Sequence, residues 1–303
     1  MKVAVYGRTF DKSFLPYIQD FFHNLNQYGF QITVYQEFFD FMVAQYQLQP
    51  PVDDFFSGNH DLDKNIDLVI SIGGDGTFLD TVSLVRDSNI PVIGINSGKL
   101  GFLANIAKED IADAVEALCY KRYTTEKRTL LQMHSEESIF PDFHFALNDD
   151  GFLFLGKAEI QKKDSQMIAV HVYLNGSFLN SYWADGLIIA TPTGSTAYSL
   201  SVGGPIVLPE TQNFIISPIS PHNLTVRPII VSDDSEILLK PEGDGSKYLI
   251  SMDHHSRVID KKMTIGIRKA DFSMNVLQLN NTNFYTTLRN KLMWGIDKRN
   301  YFV

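Results

Sequence analysis

The sequence predicts an α/β N-terminal domain, built on a doubly wound and mostly parallel sheet, followed by an all-β C-terminal domain. Strand and helix signals alternate over residues 1–121, and this alternation is typical of parallel strands joined by helices. From residue 122 to residue 280, short strands separated by turn residues prevail instead. We therefore expect the two domains to span residues 1–121 and 122–280.

In the first domain, the predicted strands are short apolar runs, and the predicted helices have apolar residues at helical spacing. The strands are Val3–Tyr6, Ile32–Tyr35, Leu68–Ile72 and Pro91–Ile95. The helices are Phe14–Tyr28, Thr77–Arg86 and Ile111–Tyr120. Ligands of doubly wound sheets bind beyond the carboxyl ends of the strands. The Gly73-Gly74 turn follows one of those ends.

In the second domain, turn residues separate the predicted strands, among them Asn175-Gly176 and Gly243-Asp244-Gly245. Asn-Gly between two apolar runs is typical of a tight hairpin. The predicted strands are Thr129–His134, Phe143–Asn148, Met167–Leu174, Leu187–Thr191, Ile229–Val231, Ile237–Lys240 and Tyr248–Met252. A final helix, basic at intervals, is predicted over Thr286–Asn300.

Composition and charge narrow the possible partners and compartment. The 303 residues carry 26 basic and 35 acidic side chains, a formal net charge of −9, which argues against a nucleic-acid partner. No apolar run approaches the roughly 20 residues that span a membrane, and the N-terminus lacks a signal-peptide pattern. The single cysteine, Cys119, excludes an internal disulfide. We expect a soluble, cytoplasmic protein.

A glycine-rich loop, Gly73-Gly74-Asp75-Gly76-Thr77, lies between a predicted strand and a predicted helix. Glycines let the backbone approach a ligand, and a helix start offers free N–H groups to a phosphate. A carboxylate would repel a bound phosphate, so Asp75 indicates more than a phosphate cradle. A carboxylate fits there if it accepts a hydroxyl proton or helps to hold Mg²⁺. The loop by itself is equally compatible with a tight turn and a helix cap.

A second loop, Asn96–Leu103, follows the next predicted strand and is rich in Gly, Asn and Ser. It would lie beside the first loop if the two strands are neighbours. A third stretch, Thr191–Ser199, places six hydroxyl side chains within nine positions after a buried strand. Buried hydroxyls need hydrogen-bond partners, which a sugar or amide ligand would supply.

Together these stretches resemble the NAD kinase family. The corresponding segments here are Gly73–Thr77, Asn96–Leu103, Asn148-Asp149, Asp185–Tyr198 and Gly203–Pro205. Gly-Gly-Asp-Gly alone is shared with diacylglycerol, sphingosine and phosphofructo-kinases, whereas the Thr-Pro-Thr-Gly-Ser-Thr-Ala-Tyr stretch is not. The resemblance implies an α/β domain, a β domain, and a tail, residues 281–303, that packs back on the first domain.

The resemblance also implies a reaction and its residues. The γ-phosphoryl of ATP, accompanied by a divalent metal such as Mg²⁺, would pass to the 2′-hydroxyl of the adenosine ribose of NAD, and Asp75 would accept the hydroxyl proton. Asn148 and Asp149 would contact the dinucleotide, and Asp185 its nicotinamide end. Further binding positions carried over are Gly74, Gly76, Thr77, Phe102, Thr193, Thr196, Ala197, Tyr198, Ser199, Leu200, Ser201 and His254. Contacts from a neighbouring subunit would make the enzyme a homodimer or homotetramer.

Two departures from the family pattern weaken individual assignments. The usual Asn-Glu pair is Asn148-Asp149 here, with a shorter acidic side chain. Asp253-His254-His255 stands where Asp-Gly-Gln or a similar sequence is common. Adjacent histidines in a strand point to opposite faces, so we predict no metal site there.

Two other classes of protein remain open at this point. A lipid or sugar kinase could share only the glycine-rich loop, but the hydroxyl-rich Thr191–Ser199 stretch argues against it. A non-catalytic nucleotide sensor would not need the Asp75 carboxylate. An assay for NADP formation separates both from an NAD kinase.

Overall fold

A computed structural model describes residues 1–140, 144–155, 168–242, 247–259, 263–280 and 283–295. The chain forms two compact units. One unit contains Met1–Lys127 and Met274–Val303, and the other contains Arg128–Ser273. The predicted Gly243-Asp244-Gly245 turn and the end of the predicted C-terminal helix lie outside the described residues.

The first unit is built on a seven-stranded sheet with the order β3-β2-β1-β4-β5-β19-β6. Strands β1 to β5 and β19 pair in parallel. The order reverses between β1 and β4, so this is the switch point at which open α/β sheets bind ligands. The strands are β1 (Lys2–Gly7), β2 (Gln31–Tyr35), β3 (Asp54–Phe56), β4 (Leu68–Gly73), β5 (Val92–Asn96), β6 (Tyr123–Arg128) and β19 (Met274–Leu279).

Helices cover both faces of this sheet. Ile93 and Ile95 share a core with α1 and α4, whereas Gly94 between them faces Phe78 of α3. The alternation of a strand therefore assigns α3 to the opposite face. The helices are α1 (Leu15–Gln27), α2 (Gln36–Tyr46), α3 (Asp75–Val85), α4 (Ile111–Cys119) and, after the β domain, α6 (Phe284–Leu292). Short 3₁₀ turns precede α1 and α4.

The predicted parallel α/β domain is confirmed, although four of its elements were not predicted. Helix α2 and strands β3, β6 and β19 were not predicted from the sequence. Helix α2 lacks a side-chain N-cap and contains several aromatic residues, so no clear signal in the sequence marks where it begins and ends. Strand β19 returns from the end of the β domain to pair with β5, and the sequence signals no such long-range pairing.

The second unit is rich in antiparallel strands, as predicted. Its two six-stranded sheets have the orders β11-β10-β15-β18-β7-β8 and β14-β13-β12-β9-β16-β17, and apolar residues of both sheets share one core. The strands are β7 (Leu131–Ser135), β8 (Phe145–Ala146), β9 (Asp149–Leu155), β10 (Ile168–Leu174), β11 (Ser177–Ala184), β12 (Gly186–Ala190), β13 (Asn213–Ile219), β14 (Ile229–Ser232), β15 (Ile237–Glu242), β16 (Lys247–Met252), β17 (His255–Ile259) and β18 (Ile265–Lys269). A 3₁₀ turn (Thr193–Thr196) and the short helix α5 (Tyr198–Ser201) follow β12.

The predicted hairpin turn is present, whereas one predicted strand is interrupted. Asn175 and Gly176 both have positive φ, 51° and 78°, between β10 and β11. The predicted strand Phe143–Asn148 contains only the two residues of β8 in the described part. The N–H groups of Leu147 and Asn148 donate hydrogen bonds to the Asp253 carboxylate instead of to a neighbouring strand.

Candidate active site

The glycine-rich loop joins β4 to α3 at the switch point of the first unit. A β-carbon at Gly73 would overlap the side chain of Thr77, so this position requires glycine. Gly74 is extended, with φ −101° and ψ −171°, and α3 begins at Asp75. The first N–H groups of a helix have no partner within it, and with the helix dipole they form an anion-binding site.

At two glycines of this loop, the packing of the described residues leaves room for a larger side chain. Gly74 and Gly76 are exposed, and a β-carbon on either would meet no described atom within 4 Å. The space above them is therefore open to a ligand that approaches the backbone closely. Thr77, also in the first turn, is partly buried.

Three consecutive backbone N–H groups hold the Asp75 carboxylate. Phe102 donates to Oδ2, and Leu103 and Ala104 donate to Oδ1, each at 3.0 Å. The second loop thus lies beside the first, as expected from the pairing of β4 with β5. The second loop thereby positions the carboxylate.

The second loop is itself folded tightly. Asn96 accepts the N–H of Gly98 at 2.7 Å and donates to the carbonyl of Ala104 at 3.3 Å. A β-carbon at Gly94 would lie 2.7 Å from the α-carbon of Ala104, and one at Gly101 would overlap the Asp75 carboxylate. The glycines of this motif therefore allow close contact between the loop, β5 and Asp75.

The C-terminal helix supplies a cation to the same carboxylate. Lys291 Nζ lies 3.3 Å from Asp75 Oδ2 and 4.6 Å from the centroid of the Phe102 ring. Phe102 also contacts Phe284 of α6, with ring centroids 6.2 Å apart. The tail thus packs on the first domain, as the resemblance implied. The sequence alone did not single out Lys291, because 216 residues separate it from Asp75.

A second charged pair lies at the end of β1. Arg8 Nε is 2.7 Å from Oδ2 of Asp80, a buried residue of α3, and the Tyr6 hydroxyl donates to the same oxygen at 3.3 Å. Burial and the Asp80 charge raise the pKa of Tyr6 to about 12. Arg8 borders a cavity of about 280 Å³ that Tyr35 also lines. The position of Arg8 directly after the first strand could have marked it from sequence.

In the second unit, Asn148 and Asp149 lie where β9 begins. Their N–H groups donate to the Asp253 carboxylate at 2.8 and 3.3 Å, so this aspartate fixes the backbone of the pair. Desolvation, followed by the charge of Asp253, raises the pKa of Asp149 to about 7. Desolvation likewise raises the pKa of Asp253 to about 6, against the three N–H bonds that lower it. From the sequence, Asp253 stood out only as part of a segment that departs from the family pattern.

Several hydroxyls of the Thr191–Ser199 stretch bond to the protein itself. Thr191 donates to the Leu147 carbonyl at 2.5 Å. The Ser195 hydroxyl donates to the carbonyl of Val207 and accepts its N–H. The expectation that a sugar or amide ligand supplies the hydrogen-bond partners was therefore wrong for Thr191 and Ser195.

Two of the predicted binding positions in this stretch, Thr193 and Ser199, are also buried. Ser199 lies 3.2 Å from the Ser217 hydroxyl, and Thr193 accepts from Arg128 at 3.5 Å. A β-carbon at Gly194 would overlap the Asn148 carbonyl, so the stretch packs directly on the Asn148–Asp149 pair. Its outer residues are the accessible ones: Thr196, Ala197, Tyr198, Leu200 and Ser201.

Asp185 and His254 lie apart from this cluster or at its margin. Asp185 is exposed and precedes β12, whereas Asp149 pairs with Ala190 at the other end of that strand. Five residues of strand correspond to about 17 Å, so one chain does not bring the two aspartates together. His254 is exposed in the β16–β17 turn, and its ring centroid lies 4.1 Å from that of His255. The prediction that these rings point to opposite faces was wrong, because His254 is in a turn.

Within the described residues, no group of three His, Cys, Asp or Glu side chains could hold a metal ion. Mg²⁺ is usually held by substrate phosphates, water and one or two carboxylates rather than by a protein cage. None of the described helices is long and apolar enough to cross a membrane.

An acidic side chain within a glycine-rich loop at a helix N-terminus fits the class of phosphotransferases, and comparison with known proteins identifies the family. Residues 20–123 match the ATP-NAD kinase N-terminal domain, and residues 158–279 match the ATP-NAD kinase C-terminal domain. The chain therefore belongs to the NAD kinase family, whose members phosphorylate NAD with ATP.

Individual relatives agree with this assignment over the full length. An NAD kinase of Cytophaga hutchinsonii is 44% identical over 300 residues, which cover 99% of this chain and 100% of the relative. An NAD kinase of Bacteroides fragilis is 40% identical over 299 residues, with the same coverage. The lipid-kinase and sensor alternatives are thereby set aside.

Solved structures of related enzymes have the same fold. Yeast NADH kinase complexed with NADH is 24% identical, with a TM-score of 0.82 over 98% of this chain and 89% of that one. An NAD kinase from Archaeoglobus fulgidus in complex with ATP is 25% identical, with a TM-score of 0.71 over 97% and 99%.

Proposed function

We propose that Asp75 is the residue that aligns the 2′-hydroxyl of the adenosine ribose of NAD for attack on the γ-phosphoryl of ATP, giving NADP. The observation that carries this role is the fixed carboxylate of Asp75 at the N-terminus of α3, beside N–H groups that the helix does not use. A phosphoryl transfer has a loose transition state, so positioning and charge stabilisation matter more than a strong base. A carboxylate held by three N–H donors is suited to positioning.

The triphosphate would lie over Gly74 and Gly76, where the backbone is accessible. Its oxygens would accept hydrogen bonds from N–H groups of the first turn of α3, including that of Thr77. Phe102, whose N–H group donates to the Asp75 carboxylate, would lie beside the triphosphate. Mg²⁺ would arrive with ATP and be held mainly by phosphate oxygens and water. When bound, it supplies charge neutralisation on the phosphates.

In the second unit, Asn148 and Asp149 would contact the dinucleotide. The accessible residues Thr196, Ala197, Tyr198, Leu200 and Ser201 would surround the adenine and ribose. The buried Thr193 and Ser199 would support this surface from beneath, and His254 would lie at its margin.

Asp185 supports the proposal of a homodimer or homotetramer. It lies at the end of β12 remote from Asp149, so a second copy would have to bring it to the same dinucleotide. Light scattering coupled to size exclusion would show a single chain mass if this proposal is wrong. We also propose that the enzyme works in the cytoplasm.

The decisive experiment is an assay of NADP formation from NAD and ATP with the unaltered enzyme and with Asp75→Asn. We expect the variant to lose about 10²–10⁴-fold in kcat while calorimetry still detects binding of NAD. Its thermal midpoint must be recorded, because an amide cannot accept all three N–H bonds. A folded Asp75→Asn enzyme with full turnover would show that the carboxylate is only a structural element of the loop.

A further inference from the structure

All acceptor positions of the Asp75 carboxylate are occupied. A carboxylate offers about four lone-pair sites. Leu103 and Ala104 donate to Oδ1, and Phe102 and Lys291 donate to Oδ2. A substrate hydroxyl can therefore reach this carboxylate only if one donor leaves. Three of the donors are backbone groups of one tight loop, whereas Lys291 donates from a flexible side chain.

Contacts other than the ion pair with Asp75 also hold the Lys291 ammonium group in position. It lies over the Phe102 ring, and Phe284 of the same helix contacts that ring. The helix begins at a capped end, where the Asn283 side chain accepts the N–H of Thr286 at 2.9 Å. The Lys291 side chain is 32% exposed, so its remaining donors can reach a ligand.

A cation is needed at this position for a simple electrostatic reason. The reaction brings a highly charged triphosphate next to an ionised carboxylate, and these groups repel each other. Among the described ion pairs, Lys291 is the cationic partner of Asp75. An ammonium group has three donors, so it can contact a carboxylate oxygen and phosphate oxygens at the same time.

We propose that Lys291 is a catalytic residue that moves from Asp75 Oδ2 to the transferred γ-phosphoryl group as the ribose hydroxyl takes its place. The inference rests on the proposed role of Asp75. The hydroxyl oxygen forms its bond to the γ-phosphorus while the bond from phosphorus to the β–γ bridging oxygen breaks, and the electron pair leaves with ADP. The hydroxyl proton passes to Asp75 Oδ2. Lys291 keeps its protons and stabilises the negative charge on the equatorial oxygens.

The test compares Lys291→Ala with Arg289→Ala, which removes a positive charge from the same last turn of α6. Arg289 lies two residues earlier, on a different side of the helix. We expect Lys291→Ala to lose about 10²-fold in kcat, to raise the KM for ATP, and to keep its thermal midpoint. Ethylamine should restore part of the activity of Lys291→Ala, and Lys291→Arg should retain more than Lys291→Ala does.

The outcomes separate this inference from the proposed function. If Asp75→Asn is inactive but Lys291→Ala turns over like Arg289→Ala, the inference about Lys291 fails and the role of Asp75 stands. If Lys291→Ala is faster than the unaltered enzyme, the ion pair is a blocking contact and the inference is overturned. If a folded Asp75→Asn enzyme has full turnover, both proposals fail together.

Discussion

The carboxylate of Asp75 occupies the space that a β-carbon of Gly101 would need. The two residues are 26 positions apart in the sequence, and they belong to different loops. The glycine lets the carboxylate approach the N–H groups of residues 102–104 and accept all three. The second loop, Asn96–Leu103, therefore serves the same site as the first by holding the Asp75 carboxylate in place.

Gly101→Ala should displace the Asp75 carboxylate from its three N–H donors. A misplacement of about 1 Å can cost about 10²-fold in rate, and we expect a loss of that size in NADP formation. Stability should fall by about 1–3 kcal/mol, measured by urea denaturation. Gly98→Ala in the same loop is the control for stability, because the one described atom that its β-carbon would meet within 4 Å is Oδ1 of Asn96, at 4.0 Å. Equal stabilities and an unchanged rate for Gly101→Ala would contradict the packing described here.

Tyr198 and Ser199 are neighbours that should respond differently to truncation. Tyr198 is 47% exposed, so Tyr198→Ala should raise the KM for NAD with little change in stability. Ser199 is fully buried and bonds to Ser217, so Ser199→Ala should cost about 1 kcal/mol of stability. Steady-state kinetics and thermal denaturation of both variants provide the comparison. An unchanged KM in Tyr198→Ala would remove the ring from the dinucleotide site.

Asp149 should make the stability of the enzyme depend on pH. The folded-state pKa of Asp149 is raised to about 7 from 3.8, so the folded chain binds this proton more tightly than the unfolded chain does. Stability should therefore fall as the pH rises between these two values and level off above about 7. Asp149→Asn removes the cost of the buried charge and keeps an oxygen that can accept the N–H of Tyr198.

Urea denaturation of the unaltered enzyme and of Asp149→Asn from pH 5 to pH 8 measures this effect. We expect the variant to gain about 2 kcal/mol relative to the unaltered enzyme across that range. The coupled titration of Asp253 spreads the change over pH. Asp185→Asn reports the effect of removing one exposed charge from the same unit. A difference between Asp149→Asn and the unaltered enzyme that stays constant with pH would contradict the raised pKa.

The local patterns were sufficient for most of the first unit. Strands such as Leu68–Gly73 are continuous apolar runs that end in glycine, and this signal is local, so their positions could be predicted. Helix α2 was missed because its aromatic residues do not form a clear helical stripe. In the second unit, the strand predicted over Phe143–Asn148 is interrupted because the Asp253 carboxylate, more than 100 positions away, takes N–H groups that a strand would use.

The sequence by itself determined the class of fold, the glycine-rich loop at a strand end, and the family, because these depend on residue types at fixed local spacing. Only the tertiary structure decided what surrounds Asp75. The N–H groups of residues 102–104 reach it because β4 and β5 are adjacent, and Lys291 reaches it because the chain returns through β19 to the first sheet. Such contacts depend on which distant segments of the chain pack together, and the spacing of residues within one segment does not predict that.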